Sequence, residues 1–290
     1  MVLIAGCSVP PQPADSSTCS GVDAALLEIL ECGEDPAGVD LATSRLSAPA
    51  PALANDVIPS VEEVQEFTEM IIVDNDEMWQ EYFAQSYPAF AAPQVEYTII
   101  MPGFIHTSAC IDFDEQLPVI SGSHTPTVFY CPAGYSGQPR QPNGYPIGEI
   151  VLASETLQDV WRGKLLGRTL TVTGDFAVAF VAAHEFGHHI ANELQQQSGI
   201  APPAGKNNEL LADCFAGVWS AHAYVEGMLE EGDIEEGLSA ANAVGDLEGH
   251  VTNDPHGTGP QRQAAFLLGY EGDDDYPAGT PDACITAYWQ

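Results

Sequence analysis

The sequence predicts an α+β fold, a small antiparallel sheet preceding a mainly helical C-terminal half, and three observations lead to it. Runs rich in β-branched and aromatic residues, Val95 to Met101, Thr127 to Cys131 and Glu149 to Ala153, are separated by turn residues and read as short strands. From Asp175 onward the pattern is helical, in segments near Asp175 to Gln197, Asn208 to Leu229 and Ile234 to Ala243, closed by a loop-rich tail. Ahead of the strands, Ser60-Val-Glu-Glu63 has the Ser-x-x-Glu form of a capping box. It opens a helical pattern to about Gln85, with Val61, Val64, Phe67, Ile71 and Trp79 among its apolar positions. Strands in one block and helices in another are the order of an α+β fold.

The chain divides into residues 1–18, a signal remnant and tether; 19–59, a small N-terminal segment; and 60–290, the main domain. Leu3-Ile4-Ala5-Gly6-Cys7-Ser8 resembles a bacterial lipobox, whose cysteine is lipidated and becomes the new N-terminus. Six residues precede Cys7 and the first basic residue is Arg45, so the signal is incomplete, as a misplaced start or a truncated sequence would leave it; the competing reading is a short apolar N-terminus that happens to contain Ala-Gly-Cys. The Pro- and Ser-rich stretch from Pro10 to Ser17 reads as a tether. Cys19 and Cys32 bracket a short helical run, Val22 to Leu30, and Ser47 to Pro59 is a second loose segment.

With 290 residues and 45% apolar content, the chain can bury one sizeable core. No apolar run approaches the roughly 18 residues that cross a bilayer. The 42 acidic side chains against 7 basic ones give a formal net charge of -35, which repels phosphates and anionic lipid heads. Nucleic acid is therefore excluded as a partner, and a membrane enters only through a lipid on Cys7. The acidic stretches Glu230 to Asp233 and Gly272 to Asp275 lack the spacing of an EF-hand loop. Of the seven cysteines, proximity suggests Cys19 with Cys32 and Cys110 with Cys131, leaving Cys214 with Cys284. Other pairings stay open on sequence alone.

His184-Glu185-Phe186-Gly187-His188 carries the chemistry. Residues four apart on a helix share one face, so His184 and His188 can reach one tetrahedral zinc ion while Glu185 approaches its water. A bare HExxH arises by chance in roughly one unrelated chain of this length per hundred. A catalytic zinc wants a third protein ligand. The metzincin arrangement would need glycine and histidine where Ala191 and Leu194 stand, so that class is excluded. The gluzincin arrangement draws a glutamate from a second helix in an ExxxD frame. Glu209 lies 21 residues after His188, and Asp213 falls one turn beyond it, placed to accept the second ring N–H of a ligand histidine.

These residues resemble the bacterial family of putative neutral zinc metallopeptidases. The likeness rests on Gly174 to Ala177, Val181 to His189, Glu209 to Trp219, Val244-Gly245-Asp246, His256 to Arg262 and, upstream, Phe129 to Pro132. It covers roughly Ser60 to Cys284 and implies a zincin-like metallopeptidase domain. Leu247 stands where a second acid is expected after Asp246, and Gly259-Pro260 replaces a more polar pair. The cluster Arg162, Lys164 and Arg168 reads as a solvated helix face.

The resemblance and the motif together imply a zinc-dependent peptidase acting on proteins or peptides, with Glu185 as general base. Its setting is extracytoplasmic, as a membrane-anchored lipoprotein or a secreted protein. His256 is the expected donor to the oxyanion, with Tyr270 and Arg262 as fallbacks. The competing reading of His256 is a hydrogen bond that fixes the tail. His189 faces some 100° away from the ligand histidines and is expected to pack. His106, His124, His222 and His250 show no partner pattern, and Trp79, Trp161, Trp219 and Trp289 are expected in the core. The alternative function class is a catalytically silent zincin-fold protein of the cell envelope that binds or scaffolds.

Overall fold

In the computed structural model the described residues are 58–88, 93–106, 108, 110, 119–120, 128–132, 147–247 and 255–289. The expectations for the lipobox at Cys7, the tether, the Cys19 and Cys32 pair, His124 and His250 lie outside them.

Helix α1 (Val61–Ser86) begins as the capping box predicts, with Glu63 N donating to Ser60 Oγ at 3.2 Å and Ser60 N to Glu63 Oε2 at 2.7 Å. Its buried face, Val64, Ile71, Ile72, Trp79 and Phe83, recurs at helical spacing and lies on the core. Five strands follow: β1 (Val95–Ile100), β2 (Ile105–His106), β3 (Val119–Ile120), β4 (Val128–Cys131) and β5 (Gly148–Ala153). The sheet is mixed rather than purely antiparallel. In its order β1-β5-β4, β5 runs antiparallel to β4 but parallel to β1. The central strand has Ile150, Val151, Leu152 and Ala153 fully buried, which explains why it reads as an unbroken apolar run instead of an alternating one.

Helix α2 (Ser154–Trp161) follows directly, and then a hairpin of β6 (Lys164–Leu165) and β7 (Arg168–Thr169). The expected solvated helix face at Arg162, Lys164 and Arg168 is thus corrected. The chain turns back at Gly163, and Arg168 Nη1 donates to the carbonyls of Ala243 at 2.7 Å and Gly245 at 2.6 Å.

Helix α3 (Asp175–Ser198) crosses the centre of the domain, apolar nearly all round. It packs against α4 (Lys206–Val225) at Gly187, where a Cβ would stand 2.6 Å from the Ala212 carbonyl oxygen, so only glycine allows the approach. Helix α4 ends before the expected Leu229 because Gly227 turns left-handed at φ 72°. Helix α5 (Asp233–Val244) follows. The tail is not loop-rich: it forms α6 (Gly259–Glu271) and α7 (Pro281–Tyr288). Helix α6 has its own capping box at Thr258 and Gln261, and both helices carry proline in the first turn, a start signal.

The four tryptophans are buried as expected, Trp79 edge-on to Phe215 and Trp219 stacked on Phe176. Disulfides join Cys110 to Cys131 and Cys214 to Cys284, the latter tying α7 to α4. Among the described residues no helix is long and apolar enough to cross a membrane.

Candidate metal centre

The two imidazoles of the HExxH motif lie one turn apart on α3, ring centroids 4.7 Å from each other. Helix α4 crosses beside them and brings Glu209 in its first turn, so that His184 Nε2 is 3.4 Å from Glu209 Oε2 and His188 Nε2 is 3.4 Å from Glu209 Oε1. One donor atom from each of the three residues falls within 4.8 Å of the others. The separations suit a shared cation better than direct hydrogen bonds, which close to about 2.7–3.2 Å. A tetrahedral zinc with bonds of about 2.0–2.1 Å needs its donors about 3.3–3.4 Å apart. On such an ion the His-His-Glu set would leave one tetrahedral position open.

What surrounds the donors aims them. His184 Nδ1 meets Asp213 Oδ1 at 2.8 Å, so its Nε2 is the nitrogen left facing Glu209. His188 Nδ1 lies 3.3 Å from the Asn208 amide. Helix α4 therefore supplies Glu209 together with a neighbour for each ring, at positions 208, 209 and 213. Arg262 of α6 completes the support. Its guanidinium clasps Asp213 with Nε to Oδ2 at 2.6 Å and Nη2 to Oδ1 at 2.7 Å, and Nη1 stands 3.5 Å from Glu209 Oε2. The side chain is only 3% exposed.

The charges are interdependent. Burial opposes ionisation of Asp213, yet Arg262 and His184 outweigh it and hold the carboxyl below its usual range. Burial disfavours the charged form of His184, but Asp213 overcomes both that and the repulsion of Arg262, and the imidazole is pushed up to about 9. Glu209 is likewise held far below the ordinary carboxylate range, its burial outweighed by the two histidines.

Glu185 and His256 border the same cleft as the three donors, a hollow of about 740 Å³. The side chain of His256 is 47% exposed, and its loop is held by Asp246, whose Oδ2 accepts from His256 N at 2.7 Å while Oδ1 lies 3.6 Å from His256 Nδ1. Of the two fallbacks, Tyr270 does not border the cleft and stacks on Phe266, and Arg262 commits its guanidinium to Asp213. Arg262 also borders the cleft, with Nε and Nη2 on Asp213 and Nη1 toward Glu209, so that it supports the candidate donors. His189 is fully buried between Tyr130 and Phe186, and burial pushes its ring down to about 3, which keeps it neutral. His106 faces Glu149, and His222 lies 3.9 Å from Asp74, both outside the cleft. The roles of Asp246 and Arg262 escaped sequence reasoning, although both residues sit in the blocks that carry the family likeness.

Residues 159–286 match the family described as "Putative neutral zinc metallopeptidase". The chain is 29% identical over 249 residues to the uncharacterised protein YpfJ of Escherichia coli K12, covering 79% of this chain and 74% of that protein. It is 38% identical over 138 residues to the uncharacterised protein Rv2575 of Mycobacterium tuberculosis H37Rv, covering 39% and 45% respectively. No solved structure matches.

Proposed function

We propose, from the match of residues 159–286 to a zinc metallopeptidase family, that the chain hydrolyses peptide bonds in proteins or peptides outside the cytoplasm. His184, His188 and Glu209 would hold the metal. The observation that carries the reading is the spacing of those three donors at the floor of a cleft that Glu185 also borders. A site serving only structure needs no base beside the metal and no open cleft.

Zinc, when bound, supplies an acidified water and polarisation of the scissile carbonyl. Glu185 takes the proton from the attacking water and passes it to the leaving amine. His256, oriented by Asp246, donates a hydrogen bond to the oxyanion that forms on the carbonyl. Arg262 and Asp213 keep the His184 ring turned toward the cleft.

Two disulfides fit an oxidising compartment, and lipidation of Cys7 would tether the protein to the membrane surface. Zinc content and cleavage of casein or a peptide library test the reading on the native protein and a Glu185→Gln variant. Both proteins should hold one equivalent of zinc, with cleavage falling about 100- to 10,000-fold in the variant. Equal zinc with no cleavage by either would replace the peptidase with the binding or scaffold protein.

A further inference from the structure

The cleft carries polar residues, Glu185, Asp246 and His256 among them, and several apolar stretches. One of these comes from α2, the β6–β7 hairpin and the first half of α3, as Val160, Leu165, Leu166, Phe180 and Val181. This apolar wall adjoins the metal donors, since Phe180 lies one turn before His184 and the two ring centroids are 6.2 Å apart.

Four of these five side chains are buried in the domain, and their place needs no explanation beyond the core. Leu166 is different. It is 56% exposed, and its φ of 50° makes it the one non-glycine residue with positive φ among the described residues. With Gly167 at φ 75° it forms the two-residue turn between β6 and β7. Turns with both central residues left-handed favour Asn, Asp or Gly at the first position, because the Cβ of other residues crowds the backbone there. A turn serving the hairpin alone would use one of those. Leucine here strains the backbone and also leaves an apolar side chain in water. Such strain persists only where the surroundings impose it, and Arg168, bonded to two carbonyls, and the 2.8 Å bond from Leu170 N to Gly163 O hold both ends of the hairpin.

We propose that Leu166 is a specificity-determining residue: it closes an apolar subsite with Phe180 and Val181 that takes a bulky aliphatic or aromatic side chain of a peptide substrate beside the scissile bond. The inference rests on the peptidase reading of the same cleft.

The test pairs selectivity with stability in Leu166→Asn and Leu166→Gly. Native protein should prefer Leu or Phe to Ala at one substrate position by at least about tenfold in kcat/KM, and both variants should bring that ratio close to one. Because the turn is relieved, Leu166→Asn should also raise Tm by about 2 °C. Fluorescence polarisation with labelled Leu- and Ala-bearing peptides on a Glu185→Gln background gives the same comparison without turnover, and the Leu preference should fall about tenfold on adding Leu166→Asn. A higher Tm with both preferences unchanged would overturn the subsite and leave Leu166 a strained turn residue. Should native protein cleave no peptide, the peptidase reading alone fails, and a Leu preference in binding that depends on Leu166 still upholds the subsite.

Discussion

Arg262 shows how much one side chain can organise beneath a candidate metal site. Its fork matches both oxygens of Asp213 and reaches toward Glu209, so a fixed positive charge stands under two carboxylates that must stay ionised. Lysine keeps the charge but not the planar fork, so Arg262→Lys should preserve the fold by circular dichroism and weaken zinc binding about 10- to 100-fold in competition with a chromogenic chelator. Unchanged affinity would remove Arg262 from the support of the site. His184, Glu185 and His188 are readable from sequence because one turn of helix fixes their relation. Glu209 and Asp213 are readable for the same reason within their own helix. The contact of Arg262 with Asp213 spans 49 residues and depends on how α6 crosses α4, so no local period in the sequence announces it.

The element that bears the motif, α3, has no capping side chain of its own; Gly174 stands at its N-cap. Glu236 of α5 supplies the missing acceptor, taking the Phe176 N–H at 3.0 Å, and Asp175 and Asp233 bring further carboxylate oxygens within 4.8 Å. Burial first, then repulsion from Asp175 and Asp233, pushes Glu236 up to about 7, and burial pushes Asp233 up to about 6. The folded pKa of Glu236 thus lies above the ordinary value of 4.5. Between those two values the folded state keeps a proton that the unfolded state has lost, so this group's contribution falls as pH rises from about 4.5 to about 7. Glu236→Gln retains an acceptor oxygen for Phe176 and carries no charge. It should therefore stabilise the protein by about 1–2 kcal/mol at pH 8 and by nothing measurable at pH 4.5, in thermal melts. An equal shift at both pH values would show that charge is not the cause. Sequence shows the acidic run Glu230 to Asp233 but not Asp175 beside it, because the approach is made by α5 folding back on α3.

Over the whole molecule, a net charge of -35 on 290 residues means that self-repulsion opposes compactness. Raising sodium chloride from about 0.05 M to 1 M shortens the screening length to about 3 Å and should raise Tm by several degrees, as differential scanning calorimetry would read. A Tm that stays level would mean that the acidic surface is spaced well enough to cost little. Sequence by itself determined the long helices α1, α3, α4 and α5 and the strands β1, β4 and β5, the motif that pairs two imidazoles, and the glutamate and aspartate that follow at helical spacing. All of these depend on the period of a single element, which backbone geometry fixes locally. Only the tertiary structure decided that β5 pairs with both β1 and β4, that α6 slides a buried arginine under Asp213, and that a hairpin tip carries Leu166 to the cleft. Those relations join residues far apart in the chain, and packing between elements, which no local period encodes, selects them.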